Sequence, residues 1–366
     1  MSVLSGWTEL DDRAVAYARA LSADAVQKVG NGHPGTAMSL APVAYSLFQR
    51  HLVHDPSDPQ WLGRDRFILS CGHSSLTLYI QLFLSGYGLE MKDLQSFRTW
   101  GSLTPGHPEY GHTAGVEMTT GPLGQGVATA VGMAMAARYE RGLLDPDAPA
   151  QQSVFDHSIW VICSDGDLQE GVSAEASSLA GTQELGNLNV IYDDNRISIE
   201  GDTHNAFTED VSARYRAYGW HVIDVAAAAN GNVDLAALDA AMVAAKEETG
   251  KPTLIRMKSV IAWPAPKAQG TAGSHGSALG EDEIKATKVA LGLNPDEHFA
   301  MPADVLAHAR LVKDRGAQHR AQWNTKFESW KAGNPDKATD IVTALGPGIT
   351  ETSIPSAIAS RISRKP

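Results

Sequence analysis

Short apolar runs recur along this chain, separated in part by stretches whose apolar residues return every three or four positions. The runs are Arg66–Ser70, Ile159–Cys163, Asn189–Tyr192, Trp220–Val225 and Thr253–Met257. Each is too short for an ordinary helix; Arg66–Ser70 reads as a buried strand and the other four as further strand candidates. Glu175–Leu185 and Val233–Thr249 are predicted helices between them. Upstream, Asp11–Val29 places Val15, Ala18, Leu21, Ala25 and Val29 at helical spacing before Gly30 stops it, and Pro42–Leu52 reads likewise. Strands covered on both sides need helices on both sides. The predicted fold class is therefore α/β, doubly wound, with a mainly parallel sheet.

A length of 366 residues allows about two average domains, or one large α/β domain with an appendage. Downstream of Ala262 the alternation stops. Trp263–Gly280 is a loop rich in Gly, Pro, Ser and Ala, long enough to suggest a function. Helical patterning resumes over Glu281–Leu291 and Pro302–Trp330, and Trp323, Phe327 and Trp330 at helical spacing read as a tail packed back on the domain. The expected division is one domain over 1–332, its helical tail at 281–332, and a linker-like tail at 333–366 rich in Gly, Pro, Ser, Thr and Ile.

Forty-two acidic residues against 30 basic ones give a net charge of −12, spread along the chain. No basic stripe is present to neutralise nucleic-acid phosphates or an anionic membrane. No uncharged apolar run approaches the ~20 residues that span a bilayer, and Met1–Arg13 has neither a basic nor an apolar signal region. A cytoplasmic location is the expectation. Two cysteines, Cys71 and Cys163, are too few for a disulfide framework or a cysteine-based zinc site.

Three predicted strands run into polar turns: Ser70-Cys71-Gly72-His73, Ser164-Asp165-Gly166-Asp167 and Asp193-Asp194-Asn195. Ligands of open α/β sheets sit outside the carboxyl ends of the strands, so these turns can converge. Asp165 puts a carboxylate there beside Gly166, which lets an anion approach the backbone. Asn195 follows the next strand after one crossover. A carboxylate and an amide oxygen, with backbone carbonyls, suit Mg²⁺, which takes its other ligands from phosphates and water. The same residues also suit turns and helix caps. Gly121-Pro122-Leu123-Gly124-Gln125-Gly126 precedes a helical run, Val127–Arg138, and can present N–H groups to an anion. Gly124, Ala128, Gly132 and Ala136 suit close helix packing equally well. Of 13 histidines, His33, His73, His107 and His275 lie in glycine-bearing loops, where imidazoles can bind oxygens and move protons near neutral pH. Each alone could be an exposed loop residue, and none of these four has zinc-ligand spacing to another.

In these residues the chain resembles the N-terminal, diphosphate-binding half of transketolase, a thiamine diphosphate enzyme, from about Leu10 to about Trp330. The resemblance rests on Gly32-His33-Pro34-Gly35, Thr104-Pro105-Gly106-His107-Pro108-Glu109, Thr119-Thr120-Gly121-Pro122-Leu123-Gly124-Gln125-Gly126, Gln169-Glu170-Gly171 with Glu175-Ala176, and Tyr192-Asp193-Asp194-Asn195 with Ile197-Ser198-Ile199, all in family order. It implies the thiamine diphosphate-binding fold and transfer of a two-carbon ketol unit from a ketose phosphate to an aldose phosphate. At matching positions it implies Asp165, Asn195 and the Ile197 carbonyl on Mg²⁺, for which Ca²⁺ can substitute. It implies His73 and Gly166 at the diphosphate, and Gly121, Pro122 and Leu123 around the thiazolium and pyrimidine. His33, His107 and His275 would face the sugars, His275 touching the cofactor also, as Asn195 would. Glu170 would lie at the interface between active sites. The bond-breaking chemistry would be the cofactor's.

Two departures accompany the resemblance. Ser164 stands where the family's motif opens with glycine. The family's pyrimidine-binding and C-terminal domains would follow Trp330, and nothing in Gly333–Pro366 resembles them. The expected entity is an N-terminal half or subunit, working as a homodimer or with a separate pyrimidine-domain chain. Open alternatives are an inactive fragment, a nonenzymatic cofactor-binding scaffold, or a subunit of another thiamine diphosphate enzyme. For deoxyxylulose-phosphate synthases or 2-oxoacid dehydrogenases, the three substrate histidines would not be expected in these contexts.

Overall fold

The computed structural model describes residues 4–339. Its strands are β1 (Arg66–Leu69), β2 (Ile159–Ser164), β3 (Leu188–Asp194), β4 (Ile197–Ser198), β5 (Gly201–Asp202), β6 (His221–Val225) and β7 (Thr253–Lys258). Five form one wholly parallel sheet in the order β1-β2-β3-β7-β6, and β4 and β5 make a small antiparallel pair.

Every residue of β1, β2 and β3 is buried, and the pleat divides their side chains between two cores. Ile159, Val161, Cys163, Val190 and Leu254 join one cluster, while Trp160, Ile162, Ile191 and Ile255 join the other. The first is closed by Val127, Ala130, Val131 and Ala134 of the helix Gln125–Leu144 and by Tyr215 of Val211–Ala217. The second is closed by the helices Glu9–Val29, Leu76–Ser85 and Leu235–Glu247. Each fully buried apolar side chain contributes about 1.5–3 kcal/mol, and only a sheet sandwiched between helices buries both faces. The doubly wound α/β fold is thus observed.

Element ends differ from the sequence reading in an informative way. Asp193 and Asp194 continue β3, pairing in register with Met257 and Lys258, rather than forming a turn. Asp165–Gln169 is a short helix whose N-cap is Ser164, in a capping box closed by Asp167. The next helix runs over Gly171–Thr182, four residues ahead of the periodic stretch. The run Pro302–Trp330 divides into Ala303–Ala309 and Val312–Gly333. Phe155 packs on Trp330 at 4.8 Å between ring centres, and Trp323 stacks on Phe327 at 4.6 Å, so the tail does fold back on the domain. Residues 335–339 form another helical turn, with Ala338 buried and Lys337 donating to the Leu144 carbonyl (2.9 Å). The rest of the linker-like stretch, 340–366, lies outside the described residues.

Candidate active site

The sheet aligns the carboxyl ends of β1, β2 and β3 side by side, with Leu69 opposite Ile162 and Ser164 opposite Asp193. The three predicted turns therefore open on one edge. Asp167, a turn residue by sequence, ties the first two of them to the glycine loop. Its Oδ1 accepts from Ser70 Oγ (2.7 Å) after β1 and from the Gly124 N–H (2.8 Å), and its Oδ2 accepts from the Ser164 N–H (2.9 Å). The Ser164-x-x-Asp167 spacing is the signal that could have revealed it. Ser164 itself sits at φ −119°, ψ 177°, ordinary extended backbone, so no glycine is needed there.

Three of the four loop histidines meet. His33 and His73 lie 5.1 Å apart by ring centres, His33 and His275 5.4 Å, and His73 and His275 5.0 Å. Two glycines make this possible by leaving room for backbone. A Cβ on Gly35 would lie 2.4 Å from the Ser274 carbonyl oxygen, so Gly35 admits the segment Gly273–Gly276 that carries His275. A Cβ on Gly72 would lie 2.6 Å from Thr120 Oγ1 and 2.8 Å from the Gly121 nitrogen, so Gly72 lets the glycine loop close over His73. His107 reaches the same loop from outside: its Cδ2 is 3.3 Å from where a Gly121 Cβ would stand, at a φ of +152° that favours glycine. Leu123 lies over Gly166, within 2.8 Å of the position of its missing Cβ. Pro122 beside it is exposed. Glu170 is exposed at the start of Gly171–Thr182, against Gly124.

Burial pushes the His33 pKa down to about 4, helped by the neighbouring His275. Burial and the adjacent imidazoles hold His73 well below the usual range, and burial also lowers His107 and His275. All four are neutral near pH 7, able to donate at one nitrogen and accept at the other. At the end of β2, burial pushes the Asp165 carboxyl up to about 7, against the stabilising hydroxyl of Tyr192, which donates to Oδ1 at 2.5 Å. Asn195 is anchored at both ends of its amide: Oδ1 accepts from the Ile197 N–H (2.8 Å) and Nδ2 donates to Asp193 (2.9 Å).

Five buried polar atoms of this cluster have no hydrogen-bond partner among the described residues: His33 Nδ1, His73 Nε2, Thr120 Oγ1, Asp165 Oδ2 and His275 Nδ1. Such a group costs about 1–3 kcal/mol when left unpaired, so their concentration on one edge marks a place built to be filled by a polar ligand. A separate cavity of about 1120 Å³ opens at the opposite, amino ends of the strands, and its charges largely satisfy one another: Arg50 and His51 both contact Asp239, and Lys246 donates to the His51 carbonyl.

Residues 10–347 match the family described as "Transketolase, thiamine diphosphate binding domain". The chain is 59% identical over 331 residues to a transketolase of Mycobacterium leprae and 46% identical over 336 residues to one of Halalkalibacterium halodurans, with 90% and 92% of this chain aligned. It spans about half the length of these curated relatives, 47% and 49%. A crystal structure of a transketolase variant from Pichia stipitis superposes with a TM-score of 0.86 at 44% identity, covering 91% of this chain and 48% of that one. The solved structure of a transketolase from Leishmania mexicana superposes with a TM-score of 0.86 at 39% identity, covering 92% and 49%. The chain belongs to the transketolase family, which it matches through the thiamine diphosphate binding domain.

Proposed function

We propose that this chain supplies the diphosphate-binding half of a transketolase-type active site, moving a two-carbon ketol unit from a ketose phosphate to an aldose phosphate. The observation that carries the reading is the set of unpartnered buried atoms on the carboxyl edge. A diphosphate needs neutral donors and close backbone, which His73, Gly166 and the loop at Gly121–Leu123 offer. A divalent cation needs hard oxygens, which Asp165 Oδ2, Asn195 Oδ1 and the Ile197 carbonyl offer. Mg²⁺ suits a set with one carboxylate and room for phosphate oxygens and water, and Ca²⁺ would be accepted by the same oxygens. Thiamine diphosphate bound there supplies the carbanion chemistry that breaks and remakes the carbon–carbon bond. His33, His107 and His275, held neutral, bind sugar hydroxyls and transfer protons, with His275 near the cofactor as well. Glu170 has its role where a neighbouring polypeptide meets this one.

Sugar phosphates are the proposed substrates, a class supported by the neighbouring Pichia stipitis transketolase in complex with sedoheptulose 7-phosphate. We place the working enzyme in the cytoplasm, as a homodimer or an assembly in which a pyrimidine-domain polypeptide completes the site. The domain division at about 332 belongs to the same proposal. Among the described residues no helix is long and apolar enough to cross a membrane.

The purified chain is titrated with thiamine diphosphate and Mg²⁺ by calorimetry, then assayed for ketol transfer with and without an added pyrimidine-domain polypeptide. Mg²⁺-dependent binding, lost in Asp165→Ala, with transfer only on mixing, is the expected result. Transfer by the chain alone would overturn the need for a second half. Absence of cofactor binding under either condition would favour an inactive fragment.

A further inference from the structure

We propose that Asp193 is a positioning residue for Asn195, buttressed by Ser259, so that a strap from the end of β7 fixes which end of the Asn195 amide faces the cation. The proposal rests on the reading of Asn195 as a metal ligand.

Asp193 is wholly buried in β3. One carboxylate oxygen, Oδ2, accepts from Asn195 Nδ2 at 2.9 Å, and the other, Oδ1, accepts from Ser259 Oγ. The two ends of a side-chain amide have nearly the same shape, so only their neighbours decide which is which. Here the neighbours are unambiguous. A carboxylate can only accept, and the Ile197 N–H, 2.8 Å from Asn195 Oδ1, can only donate. Turning the amide over would set NH₂ against N–H and oxygen against carboxylate, losing both hydrogen bonds. Asn195 Oδ1 therefore keeps a second lone pair for a cation, where an inverted amide would present hydrogens. Asp193 directs one oxygen to Asn195 and the other to Ser259. With the amide oxygen and the Ile197 carbonyl as donors beside Asp165, the orientation of that amide decides whether the set is complete.

Ser259 follows β7, the strand next to β3, so the strap joins the cation site to the neighbouring strand of the sheet. It also separates orientation from charge. Asp193→Asn removes a negative charge near the cation and frees the amide to turn, whereas Ser259→Ala leaves the charge and loosens only the strap.

The test titrates thiamine diphosphate at a series of Mg²⁺ concentrations into the wild-type chain and into Asp193→Asn, Ser259→Ala and Ser259→Thr, with thermal melts to confirm folding. We expect the Mg²⁺ requirement to rise about 10- to 100-fold in Asp193→Asn, the range typical of partners behind a metal ligand. A smaller rise is expected in Ser259→Ala and recovery in Ser259→Thr. A rise in Asp193→Asn with an unchanged Ser259→Ala would assign the effect to charge and overturn the proposal, as would an unchanged Asp193→Asn. Loss of Mg²⁺-dependent binding in the wild type itself would overturn the metal-site reading and the proposal with it. Should Asp193→Asn fail to fold, Ser259→Ala against Ser259→Thr decides alone, equal affinities counting against the strap.

Discussion

Gly35 offers a test of how the histidine cluster is assembled. It lies inside the helix Pro34–Ser39, and its backbone is not among the positive-φ positions, so local conformation does not require glycine. Helix propensity would favour alanine by about 1 kcal/mol. Space argues the other way. The added Cβ would meet the Ser274 carbonyl oxygen at 2.4 Å and Ile261 Cγ1 at 2.9 Å, roughly 1 Å inside ordinary contact. A carbonyl cannot rotate aside as a long side chain can, so Gly273–Gly276 must retreat and take His275 away from His33 and His73. Overpacking of this kind costs about 1–3 kcal/mol. After the propensity gain, Gly35→Ala is expected to be destabilised by up to about 2 kcal/mol. A displacement near 1 Å also lowers catalytic efficiency by up to about 10²-fold in an assembled enzyme. Gly132→Ala is the matched control: it sits on the exposed side of Gln125–Leu144 with nothing within 4 Å of its Cβ position. That variant should be stabilised by about 0.5–1 kcal/mol. Urea unfolding of both variants, followed by calorimetric titration with thiamine diphosphate and Mg²⁺, checks the pair. If Gly35→Ala proves as stable as Gly132→Ala and binds cofactor normally, close approach to Ser274 is not what selects glycine and the account of the cluster is wrong.

Asp167→Ala strips acceptors from Ser70, Gly124 and Ser164 in a buried place, and urea unfolding should show a loss of at least about 3 kcal/mol, with Asp167→Asn in between. Lys288, 2% exposed, donates to Asp24 at 2.7 Å and to the Glu297 carbonyl, so Lys288→Met should cost about 3 kcal/mol by removing the buried cation from the Asp24 carboxylate, which keeps the Phe299 N–H, and adding Asp24→Asn should recover part of it. Stability should also fall with acid through His54, whose ring lies between the Tyr87 hydroxyl (2.7 Å) and the Phe48 carbonyl (2.9 Å). Burial pushes its pKa down to about 4, against 6.5 ordinarily, so between those values the unfolded chain binds the extra proton. Its contribution is complete above about pH 6.5 and is lost as pH falls toward 4, about 3 kcal/mol in all. Urea midpoints at pH 7 and pH 4.5 should converge more closely in His54→Gln than in the wild type, and equal pH dependence would remove His54 from the account.

β1, β2 and β7 were legible because burial on both faces leaves little room for polar residues, and they end close to where their apolar runs end. β3 was less so. Asp193 and Asp194 look like turn residues by local preference, yet Ser259 and Arg256 satisfy their carboxylates and the strand continues. The histidines could be picked out by their glycine-bearing loops, but not the reason for those glycines. Gly35 and Gly72 make space for Ser274 and Thr120, residues distant in sequence, and a contact of that kind leaves no local pattern. Asp167 and Asp193 escaped notice for a related cause. Each sits within two residues of a more conspicuous candidate, Asp165 or Asn195, and its work is done through partners on other elements.

The two ends of the sheet show why unpartnered atoms, rather than cavity size, locate the chemistry. At the amino ends the cavity is large, but Asp65 there accepts from the Val53 and Ser158 N–H groups, and Asp239 is shared by Arg50 and His51. Among the described residues the buried atoms without a hydrogen bond along that cavity are one amide atom each of Gln49 and Asn187, neutral groups that a water can satisfy, and Arg141 Nε, which the Asp156 carboxylate faces at 3.0 Å. At the carboxyl ends they belong to Thr120, Asp165 and three imidazoles, and all but the Thr120 hydroxyl are groups that change charge and that water alone serves poorly in a buried place. Folding could have relieved that cost with a serine or a lysine nearby, as Asp193 is relieved by Ser259 and Asp24 by Lys288. Leaving it unrelieved on one edge is a cost in stability that a bound diphosphate and cation would offset, which is why thermal stability should rise with thiamine diphosphate and Mg²⁺ together in the wild type and not in Asp165→Ala.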